Sequence, residues 1–285
     1  MKQKLFILFQ HIVPQHLLSR LAGRLADCTN PWVKNRFISW FAKKYQVNMA
    51  EALVEEPTDY SSFNAFFTRE LKLGIRQINP EPDALVSPAD GAISQIGAIQ
   101  HGRIFQAKGR GYGLTTLLGG YEELASPFKN GFFTTIYLSP RDYHRVHMPI
   151  KGTLRETVYV PGDLFSVNRT TAENVDQLFA RNERLVAIFD TEAGPMAMIL
   201  VGAMIVAGIE TVWGGQVAPM LRQPLRTPYL PEPTTPIVLE KGEEMGRFKL
   251  GSTVILLFGP DAIEWVGTFK AESPVKLGEK LATQR

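Results

Sequence analysis

The sequence contains a single cysteine, Cys28, so no disulfide can form within the 285-residue chain. A lone free thiol fits a reducing compartment such as the cytoplasm. Long apolar runs are also missing. The longest uncharged stretch, 196–209, is shorter than the roughly 20 residues that a membrane-spanning helix needs, and its composition predicts two buried strands instead. Gln10 and His11 interrupt the apolar start of the chain, so a signal peptide is not predicted.

Clusters of metal-binding residues are scarce as well. The sequence has five histidines, and two of them, His144 and His147, lie three positions apart. This pair offers two ligands, no third histidine or cysteine follows nearby, and a zinc site needs three or four protein ligands. We therefore expect no metal. We interpret the pair as acid–base residues, because an imidazole titrates near neutral pH.

The charge is distributed unevenly, although its net value is only +3. Residues 1–48 carry eight basic side chains and one acidic side chain, a net charge of +7, and the remaining chain carries −4. A basic segment on an acidic body predicts a polyanionic partner. That partner is either a membrane surface or a nucleic acid.

Large apolar side chains between the basic residues favour the membrane over a nucleic acid. They recur at roughly helical spacing, with Arg20 and Arg24 on another face, and aromatic residues follow among the lysines. Amphipathic helices of this kind lie in the interface of an anionic bilayer. The alternative is that the same helices pack on the protein's own core. The apolar residues are Leu5, Phe6, Ile7, Leu8, Phe9, Ile12, Val13, Leu17, Leu18, Leu21, Leu25, Trp32, Phe37, Trp40 and Phe41.

The N-terminal region, 1–56, is predicted to be helical, with breaks at Pro31 and Pro57. A further short helix is predicted over 62–71, with a hydroxyl residue such as Ser61 as its N-cap. We interpret the region 1–56 as the part that associates with the membrane.

The sequence pattern changes near residue 84, where short β-branched or aromatic runs begin to alternate with turns. This pattern indicates an α+β protein whose region 57–285 is a β-rich core of sandwich or barrel type. A helix is predicted near 115–125 and a surface loop or lid over 214–235. The predicted strands are 93–99, 131–138, 154–160, 185–191, 253–258 and two within 196–209.

Three short motifs contain residues suited to catalysis, and each of them is weak alone. Ser-Pro-Ala-Asp-Gly, which ends at Gly91, is by default a tight turn, but its Asp90 is also an acid that a histidine could use. Arg-Asp-Tyr-His-Arg-Val-His, 141–147, contains the histidine pair. Leu-Gly-Ser-Thr, 250–253, enters an apolar run, and a Gly-Ser step in that position is usually a turn.

Together and in this order, the three motifs resemble those of the phosphatidylserine decarboxylase family in its bacterial membrane-associated form. The resemblance extends along the whole chain through Phe-Asn-Ala-Phe-Phe-Thr-Arg at 63–69 and Gly-Asp-Leu-Phe-Ser-Val-Asn at 162–168. It includes the basic apolar N-terminus. It implies a pyruvoyl-dependent lyase that processes itself from a zymogen.

The resemblance also implies the site of processing, the bond between Gly251 and Ser252. The hydroxyl of Ser252 attacks the carbonyl of Gly251, with His147 as general base and Asp90 orienting and stabilising that histidine. These residue types suit the reaction, because serine needs a base and glycine leaves its carbonyl open. β-Elimination and hydrolysis then leave a covalent pyruvoyl group in place of Ser252.

The product implied by the resemblance is a heterodimer of a large chain, 1–251, and a small chain, 252–285. In turnover, the amine of phosphatidylserine forms a Schiff base with the pyruvoyl ketone, CO₂ leaves and phosphatidylethanolamine is released. His144 is expected to donate a proton or to contact the substrate carboxylate. Ser166 and Tyr137 are weaker candidates for binding the substrate.

A lipid substrate gives the +7 segment a partner and predicts a peripheral protein on the cytoplasmic face of the inner membrane. Three alternatives stay open. They are a pyruvoyl-dependent decarboxylase of a soluble amino acid derivative, a serine hydrolase that uses Asp90, His147 and Ser252, and a non-enzymatic β-domain that binds membranes. The hydrolase would lack the usual Gly-x-Ser-x-Gly elbow. A higher oligomer of the heterodimer is compatible with the sequence.

Overall fold

The structure, a computed structural model, describes residues 2–204, 208–219, 223–230, 235–249 and 252–285, with the backbone alone described for 2–5 and 252. The chain begins with three helices, which confirms the helical prediction for this region. They are α1 (Lys2–Ile12), α2 (Gln15–Ala26) and α3 (Pro31–Tyr45).

The ends of α3 follow from local chemistry. The side chain of Asn30 accepts a hydrogen bond from the backbone N–H of Trp32 at 3.0 Å, and Pro31 stands in the first turn, where its missing N–H costs nothing. The helix ends where Gln46 adopts a left-handed conformation, with φ of 55°. Cys28 is a free, half-buried thiol in the α2–α3 connection.

A fourth helix, α4 (Phe63–Phe67), packs against α3. Its cap is Ser62, whose hydroxyl accepts from the N–H of Ala65, so the prediction of Ser61 is wrong by one residue. The helix also ends earlier than predicted, because Leu71 pairs with Ala52 in an isolated β-bridge. The phenylalanine rings of α4 are buried, and Phe63 meets Phe41 of α3 edge to face, with 4.9 Å between ring centroids.

Four more short helices and eighteen strands complete the described secondary structure, together with 3₁₀ turns at Met49–Glu51, Pro57–Asp59 and Ser126–Phe128. The helices are α5 (Leu114–Leu117), α6 (Glu122–Ala125), α7 (Arg169–Asn174) and α8 (Leu178–Arg181). The strands are β1 (Ala84–Val86), β2 (Gly91–Ala98), β3 (Arg103–Ala107), β4 (Arg110–Gly113), β5 (Phe132–Leu138), β6 (Arg145–His147), β7 (Gly152–Val160), β8 (Arg184–Thr191), β9 (Gly194–Val201), β10 (Gly208–Thr211), β11 (Gly215–Ala218), β12 (Leu225–Pro228), β13 (Val238–Leu239), β14 (Glu244–Lys249), β15 (Ser252–Phe258), β16 (Ile263–Trp265), β17 (Pro274–Val275) and β18 (Lys280–Gln284).

A nine-stranded antiparallel sheet dominates the fold, in the order β12-β7-β8-β9-β15-β5-β2-β17, with β13 also paired to β7. Strand β15 is central, because it pairs with β5 on one side and with β9 on the other. Two smaller sheets, β11-β10-β14-β6 and β1-β18-β16, lie apart from it, and β3 and β4 form a hairpin. This arrangement confirms the prediction of an α+β fold with a β-rich core.

Each face of the large sheet is covered by a different layer. Val254 and Leu256 point into a core shared with the two smaller sheets, whereas Ile255 and Leu257 point into a core covered by the short helices. Successive side chains of β15 point alternately into the two cores, so every described position is buried and the sequence of the strand is a continuous apolar run. None of the described helices is long and apolar enough to cross a bilayer.

Two predicted elements differ from the structure. The helix predicted near 115–125 is split into α5 and α6, because Gly119 and Gly120 adopt φ of 85° and 94°, which no helix tolerates. The predicted loop over 214–235 contains the strands β11 and β12. Its residues 220–222 and 231–234 lie outside the described part of the chain.

Candidate active site

Ser252 lies where the chain crosses from one sheet to another. Strand β14 belongs to the four-stranded sheet and is separated by two residues from β15, which belongs to the nine-stranded sheet. Gly251, the residue before the expected cleavage, and the side chain of Ser252 lie outside the described residues. Two backbone pairings bracket them: Ser252 stands opposite Leu138, and the N–H of Phe248 donates to the carbonyl of His144 at 3.0 Å. The extended length of four residues keeps Ser252 within about 14 Å of Phe248.

Asp90 is fixed at the start of β2 by a close backbone approach. A Cβ on the following residue, Gly91, would collide with the carbonyl oxygen of Tyr137 on β5, so only glycine allows the two strands to pair here. The Asp90-Gly91 step is thus a structural requirement of the sheet as well as the source of a buried acid.

The carboxylate of Asp90 is almost fully buried and is held by three donors. Nε of Arg76 donates at 2.9 Å, Nζ of Lys276 lies at 3.2 Å, and the backbone N–H of Leu277 donates at 2.9 Å. Burial alone would raise the pKa of Asp90, but these hydrogen bonds and the charges of Arg76 and Lys276 outweigh it and lower the pKa below its usual value. Asp90 is therefore a fixed negative charge at neutral pH.

His147, at the end of β6, has its tautomer set by a backbone carbonyl. Its Nδ1 lies 2.8 Å from the carbonyl oxygen of Gly242. A carbonyl oxygen only accepts hydrogen bonds, so Nδ1 carries the proton. Its Nε2 is consequently the basic nitrogen, and it lies 3.1 Å from the hydroxyl of Tyr143. Burial lowers the pKa of His147, so the neutral, basic form prevails at neutral pH.

Asp90 and His147 do not form the hydrogen bond that the sequence led us to expect. Gly242 orients the imidazole, and the carboxylate is occupied by Arg76, Lys276 and Leu277. The two residues are nevertheless neighbours, because the backbone N–H of His147 donates to the carbonyl of Pro88 at 2.8 Å. The negative charge of Asp90 is one of the influences that raise the pKa of His147 against the effect of burial.

His144 is fully buried, and one of its nitrogens has no partner. Its Nδ1 lies 2.8 Å from the carbonyl oxygen of Asp142, and its ring lies on Phe67 of α4, with 4.0 Å between centroids. Its Nε2 makes no hydrogen bond within the described part of the chain. Burial lowers the pKa of His144 to about 3, so the ring is neutral and Nε2 presents a free lone pair. An unpaired buried polar atom is costly and is typical of a group reserved for chemistry.

Comparisons with known proteins identify the family of the chain. A family model described as phosphatidylserine decarboxylase matches residues 63–283, and a second one, described as PSD, matches residues 5–46. The chain belongs to the phosphatidylserine decarboxylase family. It is 63% identical to a phosphatidylserine decarboxylase proenzyme of Pseudomonas fluorescens Pf-5 over 99% of this chain and 98% of that protein. It is 60% identical to the proenzyme of strain SBW25 over the full length of both chains.

In this member of the phosphatidylserine decarboxylase family, Tyr137 and Ser166 lie on the helix-covered side of the large sheet. Tyr137 pairs with Thr253 in register and lines a cavity of about 350 Å³, together with Ala92 and Val167. Ser166 immediately precedes Val167, so both weaker candidates adjoin one cavity. Asp90 and the two histidines do not line this cavity.

Gln10 has a structural role in this decarboxylase that the sequence did not reveal, because in the sequence it only interrupts an apolar run. Its side chain is buried, and its Oε1 accepts a hydrogen bond from the backbone N–H of Ser166 at 2.8 Å. Gln15 binds the N–H of Leu164 in the same way at 2.6 Å, and His16 lies 3.0 Å from the carbonyl of Gly162. The N-terminal helices are thus attached to the loop that adjoins the Tyr137 cavity.

We expect Gln10→Ala to weaken use of lipid substrate while leaving self-cleavage intact. The change removes the hydrogen bond that fixes the backbone at Ser166. A displaced pocket wall should raise KM for the substrate without affecting self-cleavage, which takes place elsewhere. Decarboxylation of phosphatidylserine in vesicles should show KM raised about three- to tenfold, an effect equal to the loss of about one hydrogen bond. Gln100→Ala, at an exposed loop position, is the control; equal KM values for Gln10→Ala and wild type would contradict the assignment.

Proposed function

We propose that this chain is a proenzyme that cleaves itself between Gly251 and Ser252 and then converts phosphatidylserine to phosphatidylethanolamine. The observation that carries the proposal is the pair of neutral histidines near the chain crossing at Ser252, of which His144 is fully buried and His147 partly buried. Each has Nδ1 committed to a backbone carbonyl; Nε2 of His144 has no partner among the described residues, and Nε2 of His147 meets the hydroxyl of Tyr143. Membership of the family and the printed names of its relatives support the same conclusion.

Self-cleavage begins when Ser252 replaces the Tyr143 hydroxyl at Nε2 of His147. That nitrogen removes the serine proton, and the alkoxide attacks the Gly251 carbonyl, which converts the peptide bond into an ester. The imidazolium formed at His147 is stabilised by the fixed negative charge of Asp90. In this assignment the negative charge of Asp90 stabilises the imidazolium, and the carbonyl of Gly242 orients the ring. In a serine-protease triad one aspartate performs both tasks.

The ester then breaks by β-elimination, which releases the new carboxylate of Gly251 and leaves dehydroalanine at position 252. Tautomerisation and hydrolysis expel ammonia and leave a pyruvoyl group at the start of the small chain. The two products would remain a heterodimer, because β15 is paired on both edges within the large sheet. Lys276 and Leu277 of the small chain also bind Asp90 of the large chain.

The residues around position 252 suit a pyruvoyl group. The backbone there is held by the pairing of position 252 with Leu138, and Nε2 of His144, which has no partner among the described residues, is an acceptor on the segment that pairs with Phe248, four residues earlier. The pyruvoyl carbonyl would supply the electron sink for the charge left when CO₂ departs. Burial keeps His144 neutral in the free protein, so the negative charges of the bound substrate must raise its pKa before Nε2 can carry a proton to the substrate carbon. The expected roles of His144, as a proton donor or as a contact to the substrate carboxylate, both depend on that shift.

We expect His144→Ala to separate the two reactions. Self-cleavage should proceed at a normal rate, because His147 is intact, whereas decarboxylation by the cleaved protein should fall about 10²- to 10⁴-fold with the loss of an acid–base group. Gel mobility reports cleavage, and phosphatidylethanolamine formation reports turnover. His101→Ala, at an exposed loop, is the matched control. Failure of His144→Ala to cleave would assign this residue to processing instead.

A membrane surface is the partner that the N-terminal helices fit. Residues of α1 and α2 expose large apolar side chains, among them Ile12 at 73% and Phe9 at 56%. Trp32 and Trp40 of α3 are exposed beside basic residues. We assign the region 1–56 to peripheral docking on the anionic cytoplasmic face of the inner membrane, where the lipid substrate lies. The same helices also pack on the protein itself, through Gln10 and Gln15 on the loop 162–166 and through α3 on α4, so both roles are served by different faces.

The test of this function is the formation of phosphatidylethanolamine from phosphatidylserine in detergent micelles by purified protein. Conversion that is lost with Ser252→Ala is expected. Conversion of a soluble serine derivative, unaffected by removal of residues 1–25, would favour the alternative of a soluble substrate. An intact chain that forms no product from either substrate would exclude both enzymes.

A further inference from the structure

A cleft separates α2 from the β-rich core, and neither His144 nor His147 lines it. Its volume is about 260 Å³. The helix contributes His16, Arg20 and Arg24, and the core contributes Leu164 and Glu183. The three basic residues are spaced by four positions, so they form one stripe along the helix that faces the cleft.

The two arginines of this stripe have no anionic partner. Neither Arg20 nor Arg24 makes an ion pair in the described ranges. The same is true of the other described cations of the basic segment, although arginines elsewhere, such as Arg76, Arg145 and Arg226, bind one carboxylate or more. Two guanidinium groups side by side without a counter-charge repel each other unless an anion is supplied from outside.

The carboxylates that line the cleft are engaged elsewhere. Asp27 accepts a hydrogen bond from Nδ2 of Asn64 at 2.6 Å, and Glu183 accepts one from the hydroxyl of Tyr159. Burial raises the pKa of Glu183, which favours its neutral form more than for an exposed glutamate. Neither carboxylate forms an ion pair with Arg20 or Arg24 in the described part of the chain, so the two guanidinium groups are open to an incoming anion.

An apolar stripe runs beside the basic one on the same helix. Leu17, Leu21 and Leu25 also recur every fourth position, and about half of each side chain is exposed. A molecule that satisfies both stripes must carry an anionic group next to an apolar chain. A glycerophospholipid has this construction in every molecule, whereas a nucleic acid supplies no apolar chain.

We propose that the cleft binds the phosphodiester of an anionic membrane phospholipid between Arg20 and Arg24, with the acyl chains along Leu17, Leu21 and Leu25. The inference rests on the membrane docking proposed above and adds a defined headgroup site to it. This site lies outside the group formed by Asp90, His144 and His147. It therefore anchors a lipid that is not being decarboxylated and sets the orientation of α2 on the bilayer.

The decisive variant is Arg20→Lys/Arg24→Lys, which keeps the net charge of +7 but removes the planar fork that binds a phosphodiester through paired hydrogen bonds. Its binding to phosphatidylcholine vesicles containing phosphatidylglycerol should be about fivefold weaker than that of wild type. Lys43→Arg/Lys44→Arg, an exposed pair outside the cleft, is the matched control and should bind as wild type does. Equal binding by all three proteins would show general electrostatic attraction alone and would overturn the site.

Inorganic phosphate distinguishes a lipid headgroup from a free anion. We expect phosphate to reduce the binding of wild type to phosphatidylglycerol vesicles more than chloride does at equal ionic strength. Phosphate should reduce the binding of the arginine-to-lysine variant less than it reduces the binding of wild type. Phosphate binding without any preference of wild type for phosphatidylglycerol over pure phosphatidylcholine would assign the cleft to a free anion and refute the lipid. The detergent assay keeps this test separate from the proposed function. If wild type produces phosphatidylethanolamine and the variant binds vesicles normally, only the headgroup site fails.

Discussion

Ser252→Ala is expected to remain a single uncleaved chain and to form no phosphatidylethanolamine. The change removes the oxygen that forms the ester, and without the ester there is no elimination to dehydroalanine and no pyruvoyl group, so both reactions should be lost completely. The fold should be preserved, because the backbone of position 252 makes the pairing with Leu138 and alanine is accepted in a strand end. The measurements are denaturing gel mobility for cleavage and product formation from phosphatidylserine for turnover.

Ser273→Ala supplies the comparison for that experiment. Ser273 belongs to the same C-terminal segment, and its hydroxyl only accepts a hydrogen bond from the backbone N–H of Lys270. This variant should cleave and turn over normally. Two fragments of normal size from Ser252→Ala would refute cleavage through the Ser252 hydroxyl.

His147→Ala is expected to have the second largest effect, with self-cleavage slowed about 10²- to 10⁴-fold. No other described group both offers a basic nitrogen next to a hydroxyl and adjoins the Asp90 turn. Decarboxylation should be lost in parallel, because the pyruvoyl group does not form. The time course of cleavage after synthesis at neutral pH measures the effect, with His101→Ala as control. Cleavage of His147→Ala at the wild-type rate would remove this residue from the mechanism.

The pH dependence of cleavage tests the state of His147 more closely. A general base must be neutral, and burial lowers the pKa of His147 from an ordinary value near 6.5. The rate should therefore stay level as the pH falls through 6.5 and decline only in more acidic solution. Asp90→Asn removes a charge that raises the pKa of His147. The acid limb of the pH–rate profile of this variant should therefore lie at still lower pH, and its maximal rate should be reduced. A limb that moves to higher pH would contradict the electrostatic role of Asp90.

The fold was largely predictable because its signals are local. The short apolar and β-branched runs of β7, β8 and β15 identify strands that are buried in a sheet, and each of these predictions was correct to within a few residues. Two errors occurred where a distant partner decides. Leu71 leaves the helix because Ala52 pairs with it, and the region 214–235 contains strands because β10 and β7 provide edges for β11 and β12.

The candidate site shows the same division. Motif order led to Asp90, His144 and His147, but the contacts that define their chemistry come from residues far away in sequence. Gly242, which sets the tautomer of His147, is 95 residues away from it. Lys276 reaches Asp90 across 186 residues. Side chains such as these carry no motif of their own, so a single sequence could not reveal that Asp90 binds cations and leaves the imidazole to a carbonyl.

Intact mass under denaturing conditions tests the central claim most directly. The active protein should separate into a chain of residues 1–251 and a 34-residue chain of residues 252–285, the latter with the mass of a pyruvoyl N-terminus in place of serine and resistant to Edman degradation. A single unmodified species of 31.8 kDa from protein that forms phosphatidylethanolamine would contradict the account.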